Sequence, residues 1–272
     1  MSSDQPPSTA EGDSPPVFGR PSAASAQEPL LEPRGSAATA GFRAAGGATD
    51  WCTLRAATVN GVRHRLAGDP AQDSFAWAVA DSKIALAVTD GVGAIDGSAR
   101  AASVAALAAV DAAVKADRGD VTDLAIHAAN QVVGDGGATT IVVAVAQRDG
   151  RVDLARVGDS TAFLVHRDGA NWTELFDSPE GDAGTVVVAT AAIPADRPDI
   201  ELTATHLEPE HVLVLASDGI AEPWRDGPAT VAPALAALVL AHPSPLGLAA
   251  AADFSRQGCH DDRTIVLLWL GG

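Results

Sequence analysis

Short apolar runs separated by tight turns recur along most of this chain, and they constrain its fold more than any other feature. Two pairs of runs flank turn residues: 74–80 and 83–89 surround Asp81-Ser82, while 138–147 and 151–157 surround Asp149-Gly150. Such pairs predict β-hairpins and therefore antiparallel sheet. Further strands are predicted at 160–166, 185–190, 199–206, 211–217 and 263–270. About nine or ten strands are too many for one strongly twisted sheet, so we expect two packed sheets.

Two pairs of helices are predicted to interrupt these strands. The first pair covers 99–117 and 121–133, and the second covers 229–241 and 245–257. Residues suited to a helix N-cap precede three of these helices, namely Ser98, Asp120 and Ser244. One early and one late helix pair in an antiparallel protein indicate an α+β fold. We expect a four-layer αββα sandwich, in which two antiparallel sheets are flanked by helix pairs.

The first 48 residues differ in composition from the rest of the chain. They are rich in Ser, Pro, Ala and Gly and show no hydrophobic periodicity. Such a segment cannot bury enough apolar surface to offset its chain entropy. We therefore predict a disordered tail over 1–48 and a single domain over 49–272. Order is expected to begin near Trp51, in a strand-like run that Asn60-Gly61 interrupts with a turn.

The net charge of the chain limits its partners. A formal charge of −17 and a pI of about 4.6 argue against nucleic acid and against electrostatic binding to anionic lipid. The amino terminus has no signal-peptide pattern, and no window approaches the roughly 18 apolar residues of a membrane span. We expect a cytoplasmic protein that acts as a monomer.

Four aspartates stand at the ends of apolar runs: Asp90, Asp159, Asp218 and Asp261. Each taken alone is most simply a turn former. Neighbouring central strands would nevertheless bring the four together, and converging carboxylates repel unless a cation lies among them. Oxygen ligands favour hard ions such as Mg²⁺ or Mn²⁺. Two such ions about 4 Å apart would suit phosphoryl transfer, and Asp90 is best placed to bridge them because Gly91 permits a tight turn.

Six short motifs occur in an order that resembles a known family. They are QDSF (72–75), VTDGVG (88–93), GATT (137–140), VGDS (157–160), ASDG (216–219) and DDRT (261–264). Together they resemble the metal-dependent protein phosphatases of the protein phosphatase 2C (PPM) type, in particular a bacterial subgroup. The resemblance spans 55–270 and implies the same αββα fold.

The resemblance also implies a set of metal ligands. Asp90 matches the residue that bridges two Mn²⁺ or Mg²⁺ ions, and Gly91 matches the residue whose carbonyl completes the second site. Asp218 and Asp261 match the remaining side-chain ligands of the first ion. Asp159 matches an acid implicated in a third, weaker site in bacterial members.

Other positions match in part. Asp73 matches an acid that orients water at the metals, and the small residues at 137–139 match a strand start that packs beneath the site. The residue before Asp73 is commonly a glutamate ligand of the second ion, whereas this chain has the neutral Gln72, a poorer ligand for a hard cation. The family's phosphate-binding arginine corresponds to Gly68. The nearest basic residues are Arg63, His64 and Arg65. The segment GVRHRLAGDPAQDSF, which contains His64, resembles the His, Gly, Gln-Asp pattern of a bacterial subgroup.

Two functional hypotheses follow. In the first, the protein is a Mn²⁺- or Mg²⁺-dependent serine/threonine phosphatase that acts on phosphorylated proteins by attack of metal-bound water or hydroxide, without a phospho-enzyme. Asp73, Asp90 and His64 are its candidate catalytic residues. In the alternative, the protein is a pseudophosphatase that binds phosphoproteins or scaffolds a partner, as Gln72 and Gly68 suggest. The four aspartates favour the enzyme, because unused converging acids would destabilise the fold.

Overall fold

The computed structural model describes residues 41–93, 97–116, 121–134, 136–166, 168, 171–176, 190–225, 231–254 and 259–271. Eleven strands within these ranges form two antiparallel sheets. Sheet A consists of β1 (Phe42–Ala48), β2 (Cys52–Val59), β7 (Thr161–Val165), β8 (Trp172–Glu174), β10 (Val212–Ala216) and β11 (Arg263–Leu270), in the spatial order β1-β2-β11-β10-β7-β8. Sheet B consists of β3 (Ser74–Ala80), β4 (Lys83–Gly91), β5 (Thr139–Gln147), β6 (Arg151–Val157) and β9 (Glu201–His206), in the order β3-β4-β5-β6-β9.

Helices cover the outer face of each sheet. The described part of the chain has six helices: α1 (Val62–Ala67), α2 (Ser98–Lys115), α3 (Val121–Val133), α4 (Asp218–Arg225), α5 (Ala232–Leu240) and α6 (Pro245–Ala252). Helices α2 and α3 pack on sheet B, whereas α4, α5 and α6 pack on sheet A. The predicted four-layer αββα sandwich is confirmed. No helix in the described part of the chain has both the length and the apolar character needed to cross a bilayer.

Successive side chains of each strand point to opposite faces of its sheet, and so the apolar interior consists of three layers. In β4, Leu86 points between the sheets and Ala85 faces the helices, and in β11 Val266 and Leu267 divide in the same way. Both faces of the central strands are therefore buried. This explains why these strands are continuous apolar runs in the sequence, although the sheets are antiparallel.

Helix α2 contacts sheet B almost entirely through small side chains. Its buried residues are Ser98, Ala101, Ala102, Ser103, Ala105, Ala106, Ala109, Val110 and Ala113. The facing surface of the sheet is also alanine-rich, with Ala76, Ala85 and Ala87 in the same cluster. Small residues on both surfaces let the helix lie close to the strands, and so its first turn lies close to the end of β4.

The amino-terminal boundary of the fold differs from the prediction. Residues 42–48, assigned to the tail by their composition, form β1, which pairs with β2 from Phe42 opposite Val59 to Ala48 opposite Thr53. The Arg43 guanidinium also lies 4.5 Å from the centre of the Phe75 ring in sheet B. Order thus begins before Trp51. The remainder of the predicted tail, 1–40, lies outside the described residues.

The structure also differs from several local predictions. Helices α1 and α4 and the short strand β8 were not predicted, whereas the predicted strand at 185–190 lies almost wholly outside the described residues. Ser244 caps α6 as predicted, since its hydroxyl accepts a hydrogen bond from the Gly247 amide at 3.0 Å. Ser98 does not cap α2, because it is the first helical residue and donates its hydroxyl to the Val92 carbonyl. The Asp120 cap lies outside the described residues.

Removing β1 is expected to destabilise the domain. A variant lacking residues 1–48 leaves one side of β2 unpaired and removes the Arg43–Phe75 contact. A loss of only about 2 kcal/mol lowers the melting temperature by roughly 4–8 °C in a domain of this size. The matched control is a variant lacking only 1–40, which retains β1, and thermal unfolding of the two compares them. Equal melting temperatures would show that β1 contributes nothing to stability.

Candidate active site

The four predicted aspartates come from different strand ends and border one cavity. Asp90 is the penultimate residue of β4, and Asp159 lies in the turn between β6 and β7. Asp218 begins α4 directly after β10, and Asp261 precedes β11, the neighbour of β10 in sheet A. All four line a cavity of about 420 Å³. The sheets therefore bring together residues as far apart in sequence as Asp90 and Asp261.

The carboxylates raise one another's pKa. Burial, followed by the charges of Asp73 and Asp218, holds the pKa of Asp90 well above the ordinary carboxyl value. Burial is also the main reason why the pKa of Asp73 is raised well above that value. The pKa of Asp218 rises to about 7, first through burial and then through the charges of Asp159 and Asp261. The charged forms of these carboxyl groups are thus unfavourable in the metal-free fold.

Several carboxylate oxygens in the cluster are buried without a hydrogen-bond partner in the described part of the chain. They are both oxygens of Asp73, Oδ1 of Asp159 and Oδ1 of Asp218. Buried acceptors are normally satisfied, and a cation satisfies carboxylate oxygens particularly well. The donor set is composed of oxygen and fits Mg²⁺ or Mn²⁺. Within the described ranges no three Asp, Glu, His or Cys side chains stand close enough together to ligate one ion.

Gly91 and Gln72 meet at the edge of the cavity. A Cβ atom at Gly91 would lie 2.9 Å from Cβ of Gln72 and 3.0 Å from its carbonyl oxygen. A larger residue would therefore separate these two segments, which explains the glycine after Asp90. Both residues line the cavity.

Residues beneath the cavity hold Asp90 and Asp159 in place. The Thr139 hydroxyl donates to the Asp90 carbonyl at 2.8 Å, consistent with the structural role predicted for 137–139. On the other side, the Thr190 hydroxyl donates to Oδ2 of Asp159 at 3.2 Å. Thr190 itself lines the cavity and was not singled out from the sequence.

Asp262 is the most important residue that the sequence did not reveal. Its side chain is 2% exposed and accepts three hydrogen bonds. The backbone amides of Gly61 and Gln72 each donate to it at 2.6 Å, and Nδ1 of His64 lies 3.0 Å from its Oδ1. Asp262 therefore ties both ends of the segment that contains α1 to the start of β11. Asp262 is the second aspartate of the DDRT motif, which is the one feature of the sequence that could have drawn attention to it. Nothing near this motif in the sequence indicates which residues Asp262 contacts.

The three basic residues considered near Gly68 occupy different environments on α1. Arg63 is exposed and borders both the main cavity and a smaller one of about 250 Å³. It forms no ion pair with any described residue. Arg65 points elsewhere and pairs with Asp253 at 2.9 Å. His64 lines the main cavity. Arg63 is therefore the cation best placed to meet an anion beside the carboxylates.

The fold and the cavity together define the class of protein. It is a four-layer α+β sandwich with a carboxylate-lined site where strands of both sheets end. The family model described as protein phosphatase 2C matches residues 60–242, which is more than half of the chain. The chain belongs to the protein phosphatase 2C family.

Solved structures of low sequence identity share this fold. RsbX in complex with magnesium has a TM-score of 0.61 at 12% identity, covering 84% of this chain and 100% of its own. The serine/threonine phosphatase PstP/Ppp of Mycobacterium tuberculosis has a TM-score of 0.58 at 21% identity, covering 82% and 100%. The PPM Ser-Thr phosphatase MsPP of Mycobacterium smegmatis, in complex with cacodylate, has a TM-score of 0.54 at 20% identity, covering 80% and 98%. No curated protein sequence matches the chain.

Proposed function

We propose that this protein is a Mn²⁺- or Mg²⁺-dependent serine/threonine protein phosphatase. The observation that carries the proposal is the group of aspartates around one cavity, with buried oxygens that lack hydrogen-bond partners among the described residues. Family membership supports phosphatase chemistry. The substrates would be proteins phosphorylated on serine or threonine, and the enzyme would act as a cytoplasmic monomer.

The residues of the cavity suit two ions and a third, weaker site. Asp90 would bridge the two ions, with Asp218 and Asp261 at the first and the Gly91 carbonyl at the second. The position of Asp159 beside Asp218 suits the third site. Bound ions would supply Lewis acidity, activating water and neutralising charge on the phosphoryl group.

The protein's own residues would position the reactants. Asp73 is buried next to Asp90, just behind the residues that line the cavity, and both of its carboxylate oxygens are unsatisfied in the described structure. In this proposal it would accept a hydrogen bond from the attacking water and orient it. Arg63, at the rim, can donate to phosphoryl oxygens. Direct attack by water requires no phospho-enzyme. No cysteine or serine nucleophile paired with a base is needed in this scheme.

The test of the proposed function is hydrolysis with and without metal. We expect the purified protein to release phosphate from a phosphoserine peptide and from p-nitrophenyl phosphate with Mn²⁺, and to lose this activity in EDTA. The alternative, a phosphoprotein-binding pseudophosphatase, rests on the neutral Gln72. Binding of the phosphopeptide without turnover at millimolar Mn²⁺ would favour that alternative.

Replacing Gln72 by glutamate is expected to tighten metal binding. An amide oxygen carries only a partial charge, and losses of comparable ligand contacts weaken metal affinity by roughly 10–100-fold. Gln72→Glu should therefore lower the half-saturating Mn²⁺ concentration by up to that factor, as measured by titrating Mn²⁺ against hydrolysis. Gln131→Glu, on the exposed face of α3, controls for the added charge. An unchanged half-saturation point in Gln72→Glu would contradict a ligand role for this residue.

A further inference from the structure

His64 is held by a carboxylate on one side and borders the cavity on the other. Its side chain is 11% exposed, and Nδ1 lies 3.0 Å from Oδ1 of Asp262. The residue also lines the cavity that contains Asp90 and Asp218. An imidazole fixed at one nitrogen presents its second nitrogen in a defined direction.

The hydrogen bonds of Asp262 assign the proton on Nδ1. The carboxylate accepts from the backbone amides of Gly61 and Gln72, one at each oxygen. These donors come from opposite ends of the α1 segment, so the carboxylate cannot rotate without breaking one of them. An ionised carboxylate only accepts hydrogen bonds, and therefore Nδ1 of His64 is the donor in the third contact.

The other ring nitrogen, Nε2, is available to a ligand. It makes no hydrogen bond to any residue that the structure describes, and it is absent from the buried atoms without a partner. Nε2 is therefore accessible. His64 lines the same cavity as the aspartates, so a phosphomonoester bound against them would share the cavity with the imidazole ring.

The α1 segment is fixed relative to the aspartates. The Arg63 amide donates to the His260 carbonyl at 3.2 Å, and a side chain at Gly61 would collide with the backbone of Asp261. The helix thus packs directly against the segment that provides Asp261. His64 therefore lies on a helix that is held against one side of the carboxylate cluster, the side of Asp261.

We infer that His64 protonates the leaving oxygen of the phosphomonoester, with Asp262 as the residue that positions its ring. This inference rests on the proposed phosphatase function. Imidazole is the side chain whose protonation changes nearest to neutral pH, which suits it to this role.

Proton transfer from His64 accompanies cleavage of the ester. Water forms a bond to phosphorus, the bond from phosphorus to the ester oxygen breaks, and its electron pair remains on that oxygen. The ester oxygen takes the proton from Nε2 of cationic His64. Nδ1 keeps its own proton, which remains hydrogen-bonded to Asp262. One proton of the water stays on the phosphate product, and the other passes to solvent, which reprotonates His64.

The identity of the leaving group provides the test. The alkoxide of serine is a poor leaving group and needs a proton as the bond breaks. In contrast, p-nitrophenolate is a stable anion near neutral pH and leaves without one. A proton donor is therefore required for a phosphoserine peptide but not for p-nitrophenyl phosphate, whereas a residue needed for folding or metal binding affects both.

The decisive variant is His64→Asn, in which the amide nitrogen can still donate to Asp262. At saturating Mn²⁺ we expect kcat for the phosphoserine peptide to fall by roughly 10²–10⁴-fold, the usual contribution of general acid catalysis. Turnover of p-nitrophenyl phosphate should fall by less than roughly tenfold, since its departure gains little from such a donor. The control is His127→Asn, since His127 also lies near an aspartate, Asp123 at 3.7 Å, but on α3 away from the cavity.

A second variant tests the positioning role. Asp262→Asn, with melting temperature and half-saturating Mn²⁺ measured in parallel, should show the same selectivity for the peptide with a smaller loss. Equal losses on both substrates in His64→Asn would overturn the inference and leave the phosphatase function intact. If the wild-type protein hydrolyses neither substrate, the proposed function fails and the inference fails with it.

Discussion

Replacing Asp90 with asparagine is expected to reduce Mn²⁺-dependent hydrolysis by roughly 10²–10³-fold or more, as expected for loss of a preorganised charged group at a reaction centre. Asp90 interacts electrostatically with both Asp73 and Asp218, since the charge of each raises the pKa of Asp90. An amide there would remove the carboxylate that both ions are proposed to share. Phosphate release from a peptide and from p-nitrophenyl phosphate at saturating Mn²⁺ measures the effect.

The same substitution should stabilise the metal-free fold, which separates loss of function from loss of structure. The raised pKa of Asp90 means that its charged form is unfavourable in the folded state. Asp90→Asn should therefore raise the melting temperature in EDTA while lowering activity. Asp111→Asn, at an exposed ion pair with Lys115 on α2, provides the matched control and should change neither. Full activity in a folded Asp90→Asn protein would refute the two-ion site.

The stability of the metal-free protein is expected to fall as the pH rises from about 4 to about 7. The pKa of Asp218 is about 7 in the folded protein, against an ordinary value of 3.8. The folded state therefore holds a proton that the unfolded chain has released across this interval, and that stabilisation is lost as the pH passes the folded pKa. Thermal unfolding in EDTA at several pH values measures the slope, and Asp218→Asn should flatten it. A slope unchanged by this substitution would contradict the assignment.

Metal should reverse this loss of stability above pH 7. A ligand whose free concentration is one hundred times its Kd stabilises the folded state by about 2.7 kcal/mol. In a domain of this size the melting temperature would rise by roughly 5–10 °C. Mn²⁺ should raise it more at pH 8 than at pH 5, because protons compete for the carboxylates at low pH. An equal shift in Asp90→Asn would show that Mn²⁺ binds elsewhere.

Much of the architecture could be predicted because the central strands are buried on both faces. Runs such as 212–216 and 265–270 are therefore apolar throughout, and turn residues separate them clearly. The aspartates could be identified for a related reason. Each one interrupts or directly adjoins such a run, and the antiparallel order of the sheets brings those ends together.

The edge of sheet A could not be predicted by the same reasoning. The sequence of β1, FRAAGGA, has the composition of a linker, and only its pairing with β2 makes it a strand. Helix α1 has six residues and ends at Gly68, which adopts a positive φ of 76°. A segment this short shows no helical periodicity. Tertiary contacts, rather than local propensity, decide both elements.

The role of Asp262 was hidden by distance along the chain. Its partners at Gly61, His64 and Gln72 lie 201, 198 and 190 residues away. A single sequence contains no local pattern that links such positions. The motif DDRT therefore indicated Asp261 through resemblance, and only the folded structure revealed what its neighbour contacts.

The alanine surface of α2 has a consequence for how the helix is aligned along its own axis. Small side chains allow close approach but interlock weakly, so they would permit the helix to slide over the sheet. Polar contacts at its two ends prevent this. The Thr89 hydroxyl donates to the Ala102 carbonyl at 3.0 Å, and Nζ of Lys83 donates to the carbonyls of Ala113 and Ala116 at 3.0 and 2.6 Å. Both donors, Lys83 and Thr89, belong to β4. The strand that carries Asp90 therefore also sets the axial position of the helix that begins beside it.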